Sequence, residues 1–210
     1  MKKRKIFDRL MEQKNRKKIS LVLGARQVGK TTVLKQLYNL LNGKNKALFL
    51  DLDIFTNFEK VSSFQNLINT IKLSGYEENQ KDFFYLFLDE FQRYKDLSIV
   101  MKNVYDNTDN IKIYASGSSS IKIKDSIQES LAGRKIINIL YPLDFEEFLW
   151  FKESNIKARN TNNLSGEGLH KPTSSFLELL NEFIIFGGYP EAVLQKTKRE
   201  KIEVLKGIFD

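Results

Sequence analysis

The chain has 210 residues, 41% hydrophobic and 29% charged, with a formal net charge of +8, a composition that supports a buried core and excludes the disordered and membrane-embedded classes. It holds no cysteine and one histidine, His170, which sets aside disulfides, thiolate metal clusters and His-based hydrolase triads. No run approaches the roughly 18 apolar residues of a membrane-spanning helix, and the basic start leads into Asp8, Arg9 and Glu12 in place of a signal-peptide stretch, so a cytoplasmic protein without a membrane partner is expected.

The charge is concentrated at one end. Residues 1–18 hold nine Lys or Arg against Asp8 and Glu12, a net +7, and the remainder is close to neutral. Within that segment Ile6, Phe7, Leu10 and Met11 recur at helical spacing, predicting an amphipathic helix from near Lys3 to Asn15. Its apolar stripe would dock on the core and turn the cations outward as a patch for a nucleic-acid backbone. A solvated charged face is the alternative.

Ile19–Leu23 reads as a buried strand that stops at Gly24, and Lys30 opens a helix with Val33, Leu34, Leu37, Leu40 and Leu41 on one face, ended by Gly43. Ala47–Leu52 is a second strand, Phe64, Leu67, Ile68 and Ile71 mark a helix, and Phe83–Leu88 is a third strand. Helix Leu97–Tyr105, strand Ile111–Ala115, helix Ile121–Leu131 and strand Lys135–Leu140 follow. This alternation predicts an α/β domain over residues 19–142, with a parallel five-stranded sheet flanked by helices.

From residue 143 the strands cease. Phe145, Phe148, Leu149 and Trp150 suggest a helix, and residues 154–175, rich in Ser, Asn, Thr and Gly, read as a loop in which His170 is a solvated side chain. Phe176–Ile185 is helical, Phe186-Gly187-Gly188-Tyr189-Pro190 a turn, and Ile202, Leu205 and Phe209 a last helix without a stop signal, as if the chain continued.

Gly24-Ala25-Arg26-Gln27-Val28-Gly29-Lys30-Thr31 fits the phosphate-loop pattern and lies between a strand and a helix, as that motif requires. Its glycines let successive backbone N–H groups converge on phosphate oxygens at a helix N-terminus. Lys30 would neutralise the β and γ phosphates of a nucleoside triphosphate and the Thr31 hydroxyl would ligate Mg²⁺. Phe84-Tyr85-Leu86-Phe87-Leu88-Asp89-Glu90 is an apolar strand ending in two acids, a Walker B form, with Asp89 for Mg²⁺ and Glu90 to orient or deprotonate water.

If the phosphate-loop and acidic strands flank the fourth strand, as in the additional-strand class of phosphate-loop ATPases, the end of that strand reaches the γ-phosphate. Ser118 is then a candidate polar sensor with Ser116 in reserve. A serine turn capping the next helix is the other reading.

Together the loop, which continues into Thr32, and Leu-Phe-Leu-Asp-Glu-Phe-Gln-Arg, Ala-Ser-Gly-Ser-Ser-Ser, Ser-Leu-Ala-Gly-Arg, Tyr-Pro-Leu-Asp-Phe-Glu-Glu-Phe-Leu and Phe-Gly-Gly-Tyr-Pro-Glu-Ala resemble the AAA+-like ATPases of bacteria and archaea that carry a C-terminal domain of unknown function. The resemblance runs from about Lys5 to Asp210. It implies ATP as the nucleotide, a strand order of 5-1-4-3-2, a lid-like helical region over 143–210 and a further C-terminal domain missing from this chain. It also implies that Arg134, before the fifth strand, is an arginine finger acting between subunits of a homo-oligomer; a surface arginine at a helix C-terminus is the alternative. ATP hydrolysis driving a conformational change is the expected function. The rival is a nucleotide-dependent switch or nucleic-acid-binding module with negligible turnover. Glu90 argues against a small-molecule kinase.

Overall fold

The computed structural model describes residues 2–43, 46–119, 129–154 and 174–209. Most of the helix expected over 121–131, and nearly all of the polar stretch 154–175 with His170, lie outside the described residues. The chain divides into two compact units, one of Ile6–Leu140 and one made of the residues up to Lys5 together with those from Tyr141 onward.

In the larger unit, α1 (Lys5–Glu12) precedes β1 (Ile19–Gly24), α2 (Lys30–Asn42), β2 (Ala47–Asp51), α3 (Thr56–Val61) and α4 (Phe64–Leu73). Next come β3 (Phe84–Asp89), a 3₁₀ turn (Phe91–Arg93), α5 (Leu97–Asn107), β4 (Ile111–Ser118) and β5 (Lys135–Ile139). The strands form one five-stranded sheet in the order β2-β3-β4-β1-β5. Every neighbouring pair is parallel. This is the expected order.

The sequence pattern explains the layering. β1 and β3 are buried at every position, as strands covered on both faces must be. On one face Leu21, Leu23, Leu86, Leu88 and Ile113 join Leu67 and Ile71 of α4 and Leu97, Met101 and Val104 of α5 in a single apolar cluster. Phe87 points to the other face, stacked on Tyr114 at 5.2 Å and edge-on to Tyr38 of α2 at 5.7 Å. Each fully buried side chain of this size contributes about 1.5–3 kcal/mol. α3 was not foreseen from the sequence; a helix of six residues is too short to display a periodic stripe.

α1 is seated by both apolar and polar contacts. Ile6 and Leu10 are buried, and Gln13 continues their line. Tyr114 Oη donates to Leu10 O at 2.9 Å, Gln13 Nε2 donates to Asn138 Oδ1 at 2.9 Å, and Ser20 Oγ donates to Gln13 Oε1 at 2.6 Å. Lys112 Nζ donates to Ser20 Oγ at 2.8 Å and to Lys18 O. Burial, and to a lesser degree the charge of Arg16, pushes the Lys112 amine down to about 7. Buried polar groups require partners, so this network fixes α1 against β1, β4 and β5.

In the second unit, α6 (Phe145–Phe151) begins with a reciprocal capping box between Asp144 and Glu147. α7 (Ser174–Phe186), α8 (Pro190–Leu194) and α9 (Lys198–Phe209) follow. Leu143, Phe148, Leu149, Phe151 and Val193 make its core. The double glycine has a steric reason: Gly187 adopts φ 69°, and a Cβ on Gly188 would lie 2.0 Å from Leu143 O. The expected turn ends in a helix because Pro190 stands in its first turn, where its missing N–H costs nothing.

The basic segment is less open than expected. Arg4 is buried and paired with Glu147 at 3.1 Å, Lys2 with Glu153 at 2.7 Å, Lys5 with Asp144 at 2.6 Å, and Lys17 with Asp109 at 3.0 Å. Arg4 therefore points inward, against the expectation of an outward patch. Among the described residues no helix is long and apolar enough to cross a membrane.

Candidate active site

The strand register brings the chemistry-bearing residues to one end of the sheet. Gly24 lies opposite Ser118, and Asp51 opposite Asp89, so the carboxyl ends of β1, β4, β3 and β2 converge where open α/β sheets hold their ligands.

Gly24 is required by packing, since a Cβ there would stand 2.3 Å from Leu140 O. The chain then turns through exposed Ala25, Arg26 and Gln27, with Gln27 at φ 60° and Gly29 at φ 95°. Val28 is fully buried and anchors the loop. Gly29 caps α2 and its carbonyl accepts from Val33 N at 3.0 Å. Lys30, 5% exposed, donates from Nζ to Ala25 O at 2.9 Å and stands 3.7 Å from Glu90 Oε1. The Thr31 hydroxyl faces the Asp89 carboxylate, and Thr32 is exposed on the same turn.

Asp89 is 1% exposed. Burial holds its carboxyl above the usual range, the hydrogen bond from Ser116 and the nearby Thr31 hydroxyl oppose that, and the Glu90 and Asp51 carboxylates reinforce it. Ser116 Oγ donates to Asp89 Oδ1 and accepts from Glu90 N at 3.1 Å. Glu90 adopts φ 54°, a left-handed conformation that costs a side-chain-bearing residue about 1–3 kcal/mol and clusters at functional sites. Its carboxylate lies between the Lys30 amine and the Gln92 amide, whose Nε2 donates to Oε2.

The structure thus brings Lys30, Thr31, Asp89 and Glu90 together, with Ser116 touching two of them. Ser118, the first choice for a sensor, is one pleat further along β4, and its backbone N–H donates to Gln92 Oε1 at 3.3 Å. Arg134 lies elsewhere. Its carbonyl accepts from Ile19 N at the start of β1, and its guanidinium forms a two-pronged pair with Asp106 at 2.7 and 3.1 Å, at the amino ends of the strands. Sequence reasoning missed Gln92 and Asp51 as neighbours of the site; the second was signalled only by its position at a strand end.

The donor set fits a hard divalent cation sharing a nucleotide. Among the described residues no group of three or more His, Cys, Asp or Glu converges as a self-sufficient metal cage. One hydroxyl and one buried carboxylate, Thr31 and Asp89, suit Mg²⁺, which keeps waters and takes its remaining ligands from phosphates.

The sequence profile of the AAA domain matches residues 16–149, spanning both acidic and phosphate-loop strands. The chain belongs to the AAA family. It is accordingly a nucleotide-binding protein of the ATPase type. Similar curated proteins include an uncharacterized protein of Methanocaldococcus jannaschii, 34% identical over all of this chain and 44% of its own length. A second from that organism is 33% identical over 76% of this chain and 34% of its own. One from Haemophilus influenzae is 25% identical over 97% and 47%. This AAA chain spans less than half the length of these relatives. Among solved structures, Caenorhabditis elegans PCH-2 aligns with a TM-score of 0.47 at 14% identity, over 97% of this chain and 65% of that one. Drosophila ORC bound to DNA aligns with a TM-score of 0.42 at 12% identity, over 64% and 87%.

Proposed function

We propose that this AAA protein binds Mg·ATP through Gly24–Thr32 and hydrolyses it. The observation that carries the reading is the meeting of the Thr31 hydroxyl with the buried Asp89 carboxylate beside Lys30 and Glu90. Thr31 and Asp89 would hold Mg²⁺, which would supply positive charge to offset the negative charge of the phosphates. The N–H groups of the loop and the Lys30 amine bind and orient the β and γ phosphates. Glu90 accepts the proton of a water whose oxygen forms the new bond to the γ-phosphorus as the bond to the ADP oxygen breaks. Ser116 keeps Asp89 and the Glu90 backbone in register.

Arg134 has a separate place in this reading. Acting on a second copy would require its pair with Asp106 to open, and that pair supports a structural role instead. Equal ratios of Arg134→Ala to parent turnover at high and low protein concentration would accord with it. A nucleic-acid partner, if residues 1–18 serve one, would meet chiefly Lys3, Arg9, Lys14, Arg16 and Lys18, since Lys2, Lys5 and Lys17 pair with carboxylates and Arg4 is buried.

The test is phosphate release from ATP by the parent chain with Mg²⁺ and with excess chelator. Turnover that needs the cation supports the reading. No release under any condition refutes hydrolysis and leaves a binding switch.

A further inference from the structure

Among the described residues, Gln92 is the side chain that joins the candidate water-activating carboxylate to the end of β4. Its Nε2 donates to Glu90 Oε2, and its Oε1 accepts the Ser118 backbone N–H at 3.3 Å. An amide can make both bonds at once because it presents a donor and an acceptor on one rigid plane. Neither a carboxylate nor an apolar side chain could.

The surroundings leave this amide little freedom. A Cβ on Gly117 would stand 2.4 Å from the Phe91 ring and 2.9 Å from Gln92 Oε1, so only glycine lets β4 approach the 3₁₀ turn closely enough for the bond to Ser118. Phe91, 4% exposed, anchors that turn in the core. On the other side Glu90 is held in its left-handed conformation by Ser116, which accepts its N–H. Side chain and backbone of Glu90 are therefore both referred to β4, the first through Gln92 and the second through Ser116. Its other contact among the described residues, Lys30 at 3.7 Å, is too long for a hydrogen bond and sets no direction.

We infer that Gln92 is a positioning residue that orients the Glu90 carboxylate and couples its direction to the Gly117–Ser118 end of β4. The inference rests on the proposed hydrolysis. A base aimed wrongly by about 1 Å loses on the order of a hundredfold in rate, whereas nucleotide affinity depends on the loop and Lys30, which Gln92 does not touch.

The experiment measures kcat for phosphate release and the calorimetric Kd for Mg·ATP in the full chain, for the parent, Gln92→Ala, Gln92→Glu, Glu90→Gln and Gln92→Ala/Glu90→Gln. Gln92→Glu keeps the shape and the acceptor for Ser118 N–H but loses the donor. The account predicts kcat lower by about 10- to 100-fold in both Gln92 variants, with Kd within about threefold of the parent's. It further predicts that the double variant turns over no more slowly than Glu90→Gln alone, because groups acting as one unit do not combine their losses. A merely structural role would multiply the two losses and raise Kd. Unchanged kcat in Gln92→Glu, or multiplied losses in the double variant, would overturn the inference while Glu90→Gln still reports on hydrolysis. An inactive parent, or an unaffected Glu90→Gln, would instead overturn the hydrolytic reading and this inference with it.

Discussion

The hydroxyl of Thr31, on the first turn of α2, faces the carboxylate of Asp89 at the end of β3. β4 lies between β1 and β3, so the loop that follows β1 and the acidic end of β3 stand on either side of the end of β4. The consequences are individually measurable.

Lys30→Ala should abolish measurable Mg·ATP binding. The amine is nearly buried beside the loop, where its Nζ donates to Ala25 O at 2.9 Å. A parent protein with ligand at about 100 times Kd gains roughly 2.7 kcal/mol, seen as a rise in thermal midpoint. The variant should show no such rise.

Asp89→Asn should trade function for stability. With a carboxyl pKa raised by burial, the stabilising contribution of Asp89 is present below the ordinary carboxylate range and is lost as pH rises through the raised value, so at neutral pH its charge opposes folding. Removing it should stabilise the chain without nucleotide by about 0.5–2 kcal/mol while weakening Mg²⁺-dependent ATP binding. Denaturant midpoints at pH 7.5 and calorimetry in parallel would show both effects.

Lys112 gives the chain an alkaline signature. Its amine is pushed down to about 7, so between that value and 10.5 the unfolded chain binds a proton that the folded chain does not. Stability from this group therefore rises with pH, by up to about 1.4 kcal/mol per unit, and falls as pH drops toward 7. Lys112→Met has no such slope. Urea titrations from pH 7 to 9.5 should show the parent gaining on the variant throughout.

Arg4→Gln should act on folding. The Arg4–Glu147 pair is buried on both sides, 5% and 6% exposed, and Glu147 also accepts Lys5 N at 2.7 Å. Leaving Glu147 without its cation should cost about 3–5 kcal/mol, read from the denaturant midpoint. DNA affinity, where present, should depend on Lys3, Arg9, Lys14, Arg16 and Lys18, with neutralisation of all five flattening its log-log salt slope by about 4.5.

The strands and their order were legible because parallel strands covered on both faces are unbroken apolar runs, as in Phe84–Leu88, and because Gly24 and Gly29 punctuate the first of them. Asp89 and Glu90 stood out as acids ending such a run. The choice between Ser116 and Ser118 was not legible, since both lie on one face of β4 and only the register with Gly24 separates them. Gln92, Gln13, Lys112 and Asn138 gave no signal. A polar residue buried by a partner distant in the chain looks, in one dimension, like a polar residue in water. Arg4 misled for the same reason, since its partner Glu147 belongs to a helix far along the chain.

The most direct test of the account is the comparison of the parent with Glu90→Gln, taking Mg·ATP affinity by calorimetry and phosphate release on the same preparations. The carboxylate lies beside Lys30 but outside the loop proposed to hold phosphate, so its loss should separate binding from chemistry. The account predicts a Kd within about tenfold of the parent's and a rate lower by about 10²- to 10⁴-fold, the range for loss of a general base. An unchanged rate of phosphate release would contradict it.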